Sequence, residues 1–248
     1  MDEIKKQLSE FSNKFDTLLN SYSLPANFGE GASKINLTLD EYEKSVFLTK
    51  AENELFINLY NGKNVYGDYF EGTEELRRYL DTLVRDANPT KLNDDSNVLS
   101  EMSVKYQLPE DLAFITLERV TYSQEDDDCI NGFNAYVYPV TQDEYARVKD
   151  NPFRGPTKYK VLRLDKGNKV VELIPKYPIG DYYIRYLKKP EPIILVDLTG
   201  TGLFIEGKDT LSATDMNPIL FDAIITRAVT MAVQSKSIGI PTNNKSSE

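Results

Sequence analysis

The chain of 248 residues has no histidine, no tryptophan and a single cysteine, Cys129. The missing histidine removes the commonest general base and the commonest transition-metal ligand. With one cysteine beside that absence, a zinc site is excluded in practice, as are Ser-His and Cys-His nucleophilic arrangements. A lone cysteine also rules out an intrachain disulfide, so no oxidising compartment is implied. Its acidic neighbours disfavour the thiolate, which argues against Cys129 as a nucleophile. No apolar run approaches the ~18 residues of a membrane span. The N-terminal MDEIKKQLSEF lacks the apolar core of a signal peptide. The expectation is a soluble protein that enters no membrane and carries no cleaved signal.

Positive charge is also in short supply. Lysine and arginine total 29 against 39 acids, a formal charge of −10. Wrapping nucleic acid needs clustered cations to displace counterions, so this balance argues against it. It leaves open a surface past which DNA slides without sticking. The pairs Arg77-Arg78 and Lys188-Lys189 are short basic patches, read as solvated faces.

Recognisable chemistry is absent as well. Glu125, Asp126, Asp127 and Asp128 lack the spacing of a calcium loop, so they read as a solvated turn. Gly200, Gly202 and Gly207 include G-x-G without the third glycine of a dinucleotide site, and no P-loop occurs. No pair of carboxylates is set by a motif. No catalytic residue, cofactor or metal site is expected.

What the chain does have is clear periodicity. Residues 2–20 read as a helix through Ile4, Leu8, Phe11, Phe15 and Leu18 or Leu19. A second helix follows Thr38, whose spacing to Glu41 is that of a capping box, and stops at Gly62. Leu48, Ala51, Leu55 and Leu59 form its stripe, yet Tyr42, Val46, Phe47, Phe56 and Ile57 make other sides apolar too. A helix apolar on more than one side is sandwiched, within its own fold or against a neighbouring subunit. Tyr42, Val46, Phe47 and Phe56 are therefore candidate interface residues, and Leu55 an internal one. A third helix is predicted over residues 73–87 through Leu76, Leu80, Leu83 and Ala87.

After a polar linker, 90–97, the period changes to two. Strands are predicted at 112–122, 135–140, 159–164, 169–174 and 181–187, with a hairpin turn at 165–168. Asn217-Pro218 then opens a last helix through Leu220, Ile224, Ala228 and Met231, too apolar to stand alone. The fold class read from this layout is α+β. A helical domain (1–92 and 210–237) holds an inserted antiparallel β domain (93–209), and a flexible tail spans 238–248.

One stretch interrupts the strands: VTQDEYARVKDNPFRGP, residues 140–156. Thr141 and Glu144 have capping-box spacing, Tyr145 and Val148 can pin a short helix to the sheet, and Pro152 and Pro156 stiffen the return. It serves either as a lid on the β domain's own core or as a rigid contact to a neighbour. Phe153 and Arg154 form its tip and join the candidate interface residues.

Four stretches together resemble a known family: LDEYEKSVFLTKAENELFINLYNG, VTQDEYARVKDNPFRGP with KVLRLD, PIGDYYIRYLKKPEPIIL, and NPILFDAIITRAVTMAV. They resemble the virion ring proteins of crAss-like bacteriophages of gut Bacteroidales. Those are adaptor or ring components of the head-to-tail connector, stacked between portal and tail. The helix–β–helix layout and YxIRYxxxPxP are more distantly similar to the tubular tail adaptor proteins of short-tailed phages. The resemblance implies a dodecameric homo-oligomeric ring in the virion, assembled in the host cytoplasm. It implies as partners the chain itself, the portal protein and other tail ring proteins, and no catalysis. DNA would pass through the lumen without specific binding. It fixes no individual binding residue. A motif-less enzyme or ligand-binding protein using Asp, Glu, Lys or Tyr stands as the alternative, and a nucleic-acid-binding regulator is disfavoured by charge.

Overall fold

The computed structural model describes residues 2–21, 38–63, 67–93, 96, 98–123, 129–149 and 151–237. The helices are α1 (Asp2–Ser21), α2 (Glu41–Asn61), α3 (Glu74–Tyr79), α4 (Gln142–Val148) and α5 (Phe221–Ser237). The strands are β1 (Val84–Ala87), β2 (Thr90–Lys91), β3 (Val104–Gln107), β4 (Leu112–Tyr122), β5 (Asn134–Pro139), β6 (Lys160–Gly167), β7 (Val170–Ile174) and β8 (Ile179–Lys188). The fold is mixed α and β. It divides into two compact units, one of residues 1–83 with 190–248 and one of residues 84–189.

In the first unit α5 packs on α1 and α2. Leu8, Phe11, Phe15 and Leu19 of α1 are buried, and the Phe11 and Phe221 rings lie 5.0 Å apart. Ile4, the first apolar residue of that stripe, is exposed. Leu220, Ile224 and Ala228 are buried as their spacing predicts. Lys44 ties α2 to α1 through Asp16 at 2.7 Å and also meets Glu41 at 2.9 Å. Burial pulls its ammonium pKa down, and hydrogen bonds to Asp16 and Glu41 more than offset that, leaving it raised. Arg227 of α5 grips Glu54 of α2 with two nitrogens, at 3.0 and 2.6 Å.

Two helix starts differ from the sequence reading. The capping box of α2 is Asp40 with Glu43, not Thr38 with Glu41. The Asp40 carboxylate accepts the Glu43 amide at 2.7 Å, and an ionised acceptor suits the helix dipole better than a hydroxyl. At the other end Gly62 takes φ 74°, the left-handed cap its position predicts. The third helix is a stub. Thr73 caps α3, Leu76, Leu80 and Leu83 are buried as expected, but the chain leaves helix at Leu80. A turn of 3₁₀ helix follows over Asp81–Leu83, and Val84–Ala87 becomes β1, paired antiparallel with β8 from Val84↔Leu187 to Ala87↔Ile184. The ladder that β8 offers outweighs a helical period that Ala87 had merely continued.

The second unit carries an eight-stranded sheet in the order β1-β8-β4-β5-β6-β7-β3-β2. All five predicted strands exist within three residues of their expected bounds, but β1, β2 and β3 add to them, with β2 inside the supposed linker. The hairpin turn falls on Asn168 and Lys169, both with positive φ (49° and 57°), two residues later than the turn read at 165–168. The sheet is not wholly antiparallel: β5 and β6 pair in parallel, from Tyr136↔Lys160 to Pro139↔Arg163. Parallel neighbours need a crossover, and residues 140–159 with α4 supply it.

Each face of the sheet has its own core. Tyr106, Val120, Val161, Leu173, Tyr182 and Ile184 pack on one side. On the other, Tyr145 and Val148 of α4 cover Leu162, Leu164 and Ile174. Val161 and Leu162, adjacent on β6, fall into different clusters, as the period of two requires. Arg163 and Glu118, both largely buried, pair at 2.6 Å, and the Tyr182 hydroxyl donates to the same carboxylate. By compactness, residues 84–92 group with the sheet and 190–209 with the helices. Residues 22–37, the acidic run 125–128 and the expected tail from 238 lie outside the described residues.

Candidate functional site

The candidate interface residues of α2 separate into two faces. Val46 and Ile57 are exposed, Lys50 lies between them on the same face, and Phe47 and Leu55 are half-buried. Tyr42 is half-buried against Ile194, Leu198 and Ile205. Phe56 is a correction: at 3% exposed it belongs to the core. It shares a helical row with Ser45, Thr49 and Glu52, and that row is taken by the chain's own later residues. The Ser45 hydroxyl accepts the Leu195 amide at 2.9 Å, and Thr49 bonds both backbone groups of Ile193. The Thr214 hydroxyl donates to Glu52. The expected division, Leu55 inside and Phe56 outside, therefore fails at Phe56, while Leu55 is half-buried.

Glu52 is the strongest electrostatic anomaly of the unit. Burial drives its carboxyl well above the usual range, the hydrogen bond from Thr214 acts against that, and Asp215, Glu206 and Glu191 push it further up. A groove of about 350 Å³ in the same unit is lined by Leu8, Ser12, Glu41, Leu195 and Leu211 among others. Among the described residues no group of three or more Cys, Asp or Glu side chains is placed to hold a metal ion. The exposed Cys129 lies in the other unit.

The interrupting stretch resolves into a lid with a projecting tip. Thr141 caps α4 by accepting the Glu144 amide at 3.2 Å, while Tyr145 and Val148 bury onto the sheet. The tip is then held from both sides. Asn151 accepts the amides of Phe153 and Arg154 at 2.9 and 3.1 Å, and Lys160 Nζ donates to the Arg154 carbonyl at 2.6 Å. Gly155 closes the turn with a 2.7 Å bond to the Asn151 carbonyl, in a space where a Cβ would lie 2.8 Å from that oxygen. Phe153 at the apex is 90% exposed and Arg154 is exposed beside it. A rigid mount for an aromatic side chain in water is a feature of contact surfaces.

Sequence reasoning missed a second surface on the sheet. Tyr183, Arg119, Tyr136 and Lys160 are register partners across β8, β4, β5 and β6. The Arg119 guanidinium sits 5.1 Å from the Tyr183 ring centre, and Lys160 Nζ sits 5.9 Å from that of Tyr138. Leu117 and Tyr136 are 51% and 56% exposed, and Tyr138 is exposed too. The period-two alternation of LERVTY and NAYVYP carried the signal; parity alone cannot say which face is left open.

Comparison with known proteins gives these surfaces a context. Residues 6–245 match the model of the phage tail ring protein 3/4 family. The chain is 45% identical to ring protein 3 of Bacteroides phage crAss001, over 92% of this chain and 95% of that one. It is 30% identical to ring protein 4/5 of the same phage, over 91% of each. The chain belongs to the phage tail ring protein 3/4 family.

Proposed function

We propose that this chain is a structural, non-catalytic virion subunit that assembles with copies of itself into a closed, dodecameric ring in the head-to-tail connector. The ring stands between the portal and the tail, and DNA passes through its lumen without specific binding. The observation that carries the reading is the match to ring proteins along nearly the whole chain. The surfaces suit it: a subunit with a neighbour on each side needs at least two contact patches. The tip at Phe153 and Arg154, with Val46, Phe47 and Tyr42 on α2, supplies candidates on different units.

In this reading the helical residues at both ends of the chain form the ring body, and the sheet is inserted into it. The charge is unevenly shared. Residues 1–83 with 190–248 hold 13 bases and 22 acids, a charge of −9, against −1 for residues 84–189. An acidic surface repels phosphate, which suits a channel through which DNA must slide.

Immunogold labelling of tailed particles with an antibody to this chain tests the location. Label at the neck, below the capsid vertex, is expected. Label elsewhere, or none on intact particles, contradicts the proposal.

A further inference from the structure

Two uncovered faces sit on different units of the chain. One is the open part of the sheet around Leu117, Arg119, Tyr136 and Tyr138, beyond the reach of α4, which covers only the Leu162 and Leu164 end. The other is the outward side of α2, where Val46 and Ile57 lie exposed and Phe47 half-exposed. A sheet face and a helix stripe of this kind are ordinarily buried against each other as two layers. Clustered exposed apolar groups on both mark sites of association.

We infer that the outward face of α2 in one copy covers the open sheet face of the next copy in the ring. The inference rests on the ring reading and names its contact. Charge favours this occupant: on the sheet face Arg119, Arg185 and Lys160 outnumber Asp86, the register partner of Arg185, while Glu43 and Glu54, the latter also held by Arg227, flank the α2 stripe on a unit that carries −9. Lys50, between Val46 and Ile57, suits tyrosine rings that accept a cation. The contact is heterologous, with a different patch on each side, and heterologous contacts generate rings where their rotation closes. Single-stranded nucleic acid also binds aromatic and cationic sheet faces, but the net charge of −10 opposes it.

The test uses two variants of the full chain, Tyr136→Glu with Tyr138→Glu and Val46→Glu with Ile57→Glu. Both are checked for fold by circular dichroism and then sedimented at a concentration where the wild type assembles. Each variant alone is expected to stay monomeric, and an equimolar mixture to give dimers that grow no further. If the glutamates unfold the chain, serines at the same positions serve the comparison. Rings from both variants, or a mixture that stays monomeric, overturn the pairing while leaving the ring reading intact. Binding of a fluorescent oligonucleotide that is lost only in the sheet variant, with assembly unaffected, overturns it in favour of nucleic acid. A wild type that is monomeric both alone and with purified portal overturns the ring reading, and the pairing with it.

Discussion

Thr49 and Ile193 exchange two hydrogen bonds: the Thr49 hydroxyl donates to the Ile193 carbonyl and accepts its amide, both at 3.1 Å. Both residues are buried, so one side chain satisfies two backbone groups that water cannot reach. With Ser45 four residues earlier and Glu52 three later, it makes α2 the splint for residues 193–195 and 214.

Thr49→Val keeps the shape and removes both bonds. Each stranded group costs about 1–3 kcal/mol, so a loss of about 2–6 kcal/mol is expected. Thr49→Ser, which retains the hydroxyl, should lose less than about 1 kcal/mol. Thermal melting of the two variants side by side checks the ordering; equal losses would mean the hydroxyl is not what matters.

Glu52 gives a pH dependence with a definite sign. Its carboxyl is raised in the folded chain, so the native state holds its proton more tightly than the unfolded one. The stability it contributes is full below the ordinary carboxylate value and falls as pH climbs through the window above it. Glu52→Gln still offers an acceptor to Thr214 and carries no charge. It should melt above the wild type at pH 8, with the gap closing towards pH 5. A gap that is constant across that range would remove Glu52 as its source.

The two faces of α2 should respond differently. Phe56→Ala is expected to cost about 3–5 kcal/mol, as for other buried aromatics, and Phe56→Asp should leave no folded protein. Val46→Asp lies on the exposed side and should change stability by no more than about 0.5 kcal/mol. Chemical denaturation distinguishes them, and comparable losses would put both residues in one core.

Much of this was legible in the residues. Gly62 stops α2, Thr141 starts α4, and the alternation of Tyr182, Tyr183 and Ile184 marks β8, because caps and period two are local rules. What escaped depends on distant partners. Val84–Ala87 continues a helical spacing and turns into strand only because β8 has an edge to pair. Ser45 and Thr49 look like solvent-facing helix positions until Ile193 and Leu195 arrive to bond them. Phe56, on the same helical row, is buried with them. The parallel pairing of β5 with β6 explains why a strand-rich stretch makes room for α4, and no spacing rule within the stretch reveals it.

The turn at Gly155 should be intolerant of a side chain. The Cβ of Gly155→Ala would lie 2.8 Å from the Asn151 carbonyl oxygen and 3.1 Å from that of Lys149, so backbone must move. Trypsin is expected to cut after Arg154 faster in this variant than in the wild type. Phe153→Ala should melt like the wild type, within about 0.5 kcal/mol, yet assemble at higher concentrations only. Unchanged assembly would take the tip out of the contact.

The mass of the assembled particle bears most directly on the central claim. Native mass spectrometry of the chain, alone and with the portal, should find a closed species of about 340 kDa, twelve times the 28.2 kDa subunit, or that mass added to the portal. A species of 28.2 kDa under both conditions would contradict the claim.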